Sequence, residues 1–106
     1  MKQVSIKLPI EDIESFCKKW KIKELALFGS VLRSDFNPKE SDIDVLVTFF
    51  PDIQYGWDIV TMRDDLELIF KRRVDFIEKE TVEKSKNKYR KKEILSTYEV
   101  IYEQAS

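Results

Sequence analysis

The sequence contains no histidine. That absence removes a Ser-His-Asp triad, a Cys-His pair and any histidine-ligated zinc site. Whatever chemistry the chain performs must run on carboxylates, hydroxyls and cations. A single cysteine, Cys17, leaves no intrachain disulfide to form. Cys17 falls on the apolar side of a helical pattern, which suits a small core residue better than a reactive thiol. Neither sign of charge is in excess: 19 Lys and Arg face 20 Asp and Glu, for a formal net charge of −1. A protein that drew its affinity from neutralising many phosphates of a long nucleic acid would be basic, so stable nucleic-acid binding is not expected. Long apolar runs are missing too. No segment approaches the roughly 20 apolar residues of a membrane span, and the N-terminus has no signal-peptide-like stretch. A cytoplasmic protein with no membrane partner is the expectation.

What is present describes a soluble globular domain with a heavily charged surface: 42% hydrophobic, 12% aromatic and 37% charged residues. At 106 residues there is material for one core and not two, so residues 1–106 are expected to form a single domain.

Val4, Ile6 and Leu8 alternate with polar residues and suggest a short extended segment. Pro9 suits the first turn of a helix, with Glu11 and Asp12 near its positive end. Ile10, Ile13, Phe16, Cys17 and Trp20 recur at helical spacing, which predicts a helix over about residues 10–20. Leu25-Ala26-Leu27-Phe28 reads as a buried strand ending at Gly29, followed by a brief turn over Ser30–Arg33 and a loop at Asp35-Phe36-Asn37-Pro38. Ile43, Val45, Val47 and Phe49 alternate with Asp42, Asp44, Leu46 and Thr48, a strand closed by Pro51. From Asp58, the residues Ile59, Met62, Leu66, Ile69 and Phe70 predict a second long helix, and Val74–Ile77 a third strand. Ile94, Leu95, Tyr98, Ile101 and Tyr102 favour a terminal helix, with an edge strand over Tyr98–Tyr102 as the alternative. The expected order is helix, strand, strand, helix, strand, helix: a small α/β or α+β domain with helices flanking a small sheet.

Strand geometry gives Asp42-Ile43-Asp44 chemical meaning. Side chains at i and i+2 share a face, so both carboxylates project together while Ile43 points away. Two such charges 4 Å apart repel by roughly 1 kcal/mol in water and about 4 kcal/mol at a surface-like dielectric. A divalent cation relieves that repulsion, and magnesium suits oxygen ligands shared with substrate phosphates. The plainer reading is two aspartates at an exposed strand start. Gly29-Ser30 strengthens the sharper one, because glycine admits close backbone approach and the turn can aim amides at an anion. A simple turn with Ser30 as N-cap is the bland alternative. Asp75 lies inside the apolar run Val74–Ile77, where a charge is costly unless paired or metal-bound. If its strand neighbours that of Asp42 and Asp44, three carboxylates converge in the layout of two-metal phosphoryl chemistry. Arg72 or Arg73 are alternative partners for Asp75.

Gly29-Ser30, eleven intervening residues, Asp42-Ile43-Asp44 in an apolar strand and Asp75 on a later strand together resemble the polymerase-β-type nucleotidyltransferase superfamily. The short length is similar to its minimal branch, the MNT antitoxins of HEPN/MNT toxin–antitoxin pairs. The resemblance runs from about Leu25 to Ile77 and is most specific from Leu27 to Val47. It implies a polymerase-β-like core. Ser30 and the Gly29 backbone would contact the terminal phosphates, Asp42 and Asp44 would hold Mg2+, and Asp75 would complete the metal site and help activate the acceptor hydroxyl. Arg33 matches an arginine that steadies the triphosphate in many members, whereas Ser34 stands where those members often carry glycine. The resemblance further implies ATP as donor, a cognate HEPN toxin as partner and transfer of AMP to a toxin tyrosine. A binding-only antitoxin that neutralises its partner by occlusion is the alternative. The run Lys84, Lys86, Lys88, Arg90, Lys91, Lys92 is either a solvated helix face or a docking surface for an acidic patch on the partner.

Overall fold

The structure, a computed structural model, describes residues 7–32, 42–53 and 55–104. The first helix, α1 (Ile10–Lys19), follows Pro9 and obeys the helix dipole at both ends: Glu11 and Asp12 lie in its first turn, Lys18 and Lys19 in its last. Its apolar spacing buries Ile13, Phe16 and Cys17. Burial pushes the Cys17 thiol up to about 12, so it stays protonated and inert, as its place on the apolar stripe suggests. Lys21 then takes a left-handed backbone (φ 51°), and strand β1 (Ile22–Phe28) begins. β1 starts earlier than the apolar run Leu25–Phe28 predicts, because Ile22 is itself fully buried and pairs with Phe49.

A 3-10 turn (Gly29–Leu32) follows β1, and β2 (Ile43–Phe49), α2 (Asp58–Phe70) and β3 (Val74–Glu78) match their expected spans closely. The short helix α3 (Lys79–Glu83), α4 (Lys88–Thr97) and β4 (Glu99–Glu103) complete the chain. The extended segment expected at Val4 and Ile6 and the loop at Asp35–Pro38 lie outside the described residues.

The sheet order is β3-β2-β1-β4; β1 runs antiparallel to β2 and β4, and β2 runs parallel to β3. The fold is therefore α+β, with a mixed four-stranded sheet. Of the two readings of Ile94–Tyr102, the favoured continuous helix is corrected and the alternative edge strand holds: α4 ends at Thr97, Tyr98 turns extended (φ −66°, ψ 151°), and Glu99–Glu103 pairs along β1. The open edge of β1 needs backbone partners, and Val100, Ile101 and Tyr102 are good strand formers that supply them.

Alternation divides the sheet into two faces. Leu25, Leu27, Ile43, Val45, Val47 and Val74 pack under α1 and α2 in the larger core, whereas Ala26, Phe28 and Leu46 pack under α3 and α4 with Val82 and Ile94. At the far end of this second face, Lys79 donates to Tyr98 Oη at 2.9 Å and pairs with Glu24 at 3.5 Å, while the Thr48 hydroxyl donates to the same Glu24 carboxylate. The Tyr98 hydrogen bond, helped by Glu24, holds Lys79 above the usual lysine range against the opposing effect of burial. This network ties the starts of α3 and β4 to β1. Among the described residues no helix is long and apolar enough to cross a membrane.

The two leucines of α2 separate core from surface: Leu66 is 0% exposed and Leu68 is 78% exposed. Leu66→Ala should cost about 2–5 kcal/mol in urea unfolding, whereas Leu68→Ala should stay within about 0.5 kcal/mol. Equal effects would contradict the packing of α2.

Candidate functional site

Asp44 sits between two neighbours set by hydrogen-bond register. On one side it pairs with Phe28 of antiparallel β1, and on the other with Asp75 of parallel β3. The parallel register begins where the Ile43 amide donates to the Arg73 carbonyl at 3.0 Å. Glu67 fixes that entry: its carbonyl accepts from the Lys71 and Arg72 amides, and its side chain accepts from the Val74 amide at 3.0 Å. Lys71, left-handed at φ 57°, turns the chain sharply from α2 into β3. Partners in a parallel register share a face, so Asp44 and Asp75 both project on the side of α3 and α4. Asp42 stands one residue before the start of β2 and is exposed.

Asp44 and Asp75 thus share one face, with Asp42 adjacent in the chain, but the three side chains do not close on a point. Among the described residues no group of three Cys, Asp or Glu is gathered tightly enough to hold a metal ion. A Cβ added at Gly29 would collide with Asp44 Oδ2 and stand 3.2 Å from Cγ, so the carboxylate of Asp44 lies against Gly29, on the β1 side of β2. Gly29 also needs its freedom for backbone reasons, at φ +76°. Its close approach is thus to Asp44, where the sequence suggested a ligand.

Asp75 corrects a premise. It lies on an edge strand and is exposed, so its charge is solvated rather than buried. Among the described residues it forms no ion pair with Arg72 or Arg73. Ser30 lies half-buried in the 3-10 turn after Gly29, and Arg33 falls outside the described residues.

A cleft of about 520 Å3 opens beside this corner, lined by Phe28, Gly29, Ser30, Leu32 and Asp44 from the sheet side and by Arg90, Glu93, Ile94 and Thr97 from α4; of the three aspartates Asp44 lines it, and Asp42 and Asp75 are not part of its wall. That size suits a small-molecule ligand. The α4 wall is what the sequence did not reveal. Arg90 lay within the basic run, and nothing in the pattern singled out Glu93 or Thr97, because their place depends on α4 crossing the sheet. The run itself divides: Lys84 pairs with Glu80 at 2.7 Å, Arg90 faces the cleft, and Lys86, Lys88 and Lys92 are exposed.

A family model described as a nucleotidyltransferase domain matches residues 11–101. In fold, the chain is similar to a MntA–HpeT toxin–antitoxin complex with two aspartate-to-glutamate substitutions (15% identity, TM-score 0.65, 92% of this chain and 75% of that chain). It is similar to a toxin–antitoxin complex with AMP-PNP (16% identity, TM-score 0.65, 92% and 75%). A third similar structure is a tri-AMPylated Shewanella oneidensis HEPN toxin in complex with MNT antitoxin (15% identity, TM-score 0.59, 90% and 70%). At these identities the likeness is one of fold. No curated protein matches the chain.

The contact between Gly29 and Asp44 can be measured without any assumption about function. Gly29→Ala should destabilise by about 1–3 kcal/mol through its positive φ and the displaced carboxylate. In an Asp44→Ala background the cost should fall by at least about 0.5 kcal/mol, because only the backbone penalty remains. Strictly additive effects in urea unfolding would show that the two residues do not touch.

Proposed function

Because the chain belongs to the nucleotidyltransferase domain family, we propose that it is a magnesium-dependent antitoxin that transfers AMP from ATP to a tyrosine hydroxyl of a cognate HEPN toxin. The observation that supports this most is the corner itself: Asp44 and Asp75 in register on adjacent strands, Asp42 beside them, and Gly29-Ser30 at the lip of one cleft. The partner and the transfer of AMP are supported by the fold neighbours, one an MNT antitoxin with a tri-AMPylated HEPN toxin and another a toxin–antitoxin complex with AMP-PNP, while tyrosine as acceptor rests on the family resemblance.

Asp42, Asp44 and Asp75 offer only hard carboxylate oxygens, in a chain without histidine and with its lone cysteine buried, a donor set that fits magnesium rather than zinc. A bound magnesium would supply neutralisation of the phosphate charge. In this reading the carboxylate of Asp44 swings from Gly29 toward Asp75 when the nucleotide enters. The Gly29 backbone and the Ser30 hydroxyl hold the terminal phosphates, joined by Arg33. Asp75, exposed at the open edge, accepts the proton as the tyrosine oxygen bonds to the α-phosphorus. The bond from the α-phosphorus to the bridging oxygen breaks and pyrophosphate leaves. The step needs in-line positioning and charge neutralisation, with no covalent enzyme intermediate.

Incubation with magnesium, labelled ATP and the product of the neighbouring gene tests this reading. Label should move to the partner, and Asp42→Ala/Asp44→Ala should lower the rate by at least about 100-fold. Absence of label, with toxicity still suppressed by the double variant, would establish a binding-only antitoxin instead.

A further inference from the structure

The donor site carries a charge problem that the carboxylate corner does not solve. Asp44 and Glu93 both line the cleft, and a nucleoside triphosphate brings several more negative charges. Among the described lining residues Arg90 is the one cation. Its guanidinium has no ion pair or side-chain hydrogen bond among the described residues, although Glu93 stands one helical turn away.

The helix that carries Arg90 breaks a rule that α1 keeps. α1 places acids in its first turn and bases in its last. The first turn of α4 holds Lys88, Arg90 and Lys91 with no acidic residue, and its last turn holds no base. Cations at the positive end of a helix cost stability, typically a few tenths of a kcal/mol or more each. Departures from such local rules are expected at functional sites. Asn87 caps this end by accepting from the Arg90 amide at 3.1 Å, which holds the first turn, and with it the Cα of Arg90, in a fixed position. The pairing of Glu99 with Leu27 brings the C-terminal end of α4 to the β1 side. Arg90, about 10 Å back along the helix from Thr97, also borders a small depression with Ile77 and Thr81, on the β3–α3 side. It therefore stands on the side of the cleft nearer Asp75.

We propose that Arg90 binds the phosphate chain of the donor nucleotide from the α4 wall, opposite the Gly29-Ser30 turn, within the positive field of the α4 N-terminus. This rests on the nucleotidyltransferase reading of the cleft and adds a phosphate-binding residue to it. A guanidinium presents a planar fork of donors to phosphate oxygens and stays charged at every working pH.

Calorimetric titration of the intact protein with magnesium and ATP, at several salt concentrations, tests the proposal. Arg90→Ala should weaken ATP binding by about 10-fold or more and reduce the salt dependence of Kd. Arg90→Lys should retain part of the affinity and the salt dependence, and Lys92→Ala, altering an exposed neighbour outside the cleft, should match wild type. Circular dichroism of each variant reports whether α4 is intact. Unchanged ATP affinity in Arg90→Ala would overturn the proposal. Weaker binding with undiminished salt dependence would overturn it too, since Arg90 would then act through helix packing. A wild-type protein that binds no ATP would instead bring down the donor-site reading itself, and this proposal with it.

Discussion

Everything at the carboxylate corner depends on β2 being an interior strand with neighbours of opposite sense. The antiparallel ladder to β1 sets Asp44 against Phe28 and the Gly29 turn, and the parallel ladder to β3 sets it against Asp75. A one-residue slip in either ladder would send the partner side chain to the other face. Two devices hold the register. The apolar residues Ile43, Val45 and Val47 are committed to the core under α1 and α2, so Asp44 has no choice of face. Glu67 then locks the α2–β3 turn, which decides where the parallel pairing starts.

The two faces of the sheet do different jobs. The face under α1 and α2 holds the larger apolar cluster and carries most of the burial. Among the described residues the opposite face is covered by a five-residue helix and a ten-residue one, which seal the middle with Val82 and Ile94 but not the corner beyond Phe28 and Asp44. The cleft is what that short covering leaves open. Charged groups tolerate the position because solvent reaches them, as the exposure of Asp42 and Asp75 shows.

Much of this was legible in the sequence because it is periodic. Alternation along β2 identifies the strand and the face of Asp44, and the apolar spacings of α1 and α2 give nearly their observed spans. Fold class followed from the order of elements. The tail is ambiguous in sequence because Ile94, Leu95, Tyr98, Ile101 and Tyr102 fit a helix locally, and the backbone groups along the edge of β1 decide for the alternative edge strand. The role of Gly29 was half legible: its conformational need was plain, but its contact with Asp44 exists only once β1 and β2 are paired. Asp75 was placed on the right strand and credited with burial it lacks, since sequence alone does not reveal that β3 is an edge. The α4 wall was invisible for the same reason.

The contrast between α1 and α4 carries the charge argument furthest. Both helices have ten residues, and both lie against the same sheet. One distributes its charges to suit its own dipole, and the other opposes it. With a net charge of −1, the chain has no global surplus of positive charge to attract an anionic ligand. A local concentration is then the only means of offering one, and the start of α4 is where lysines and an arginine gather beside the cleft. The same economy explains why the run does not act as one patch. Lys84 is occupied by Glu80, Lys86, Lys88 and Lys92 stand exposed outside the cleft lining, and Arg90 is the one cation among the described lining residues. The corner therefore separates its tasks, with carboxylates on the sheet to gather a cation and a cationic helix end to hold the anion that comes with it.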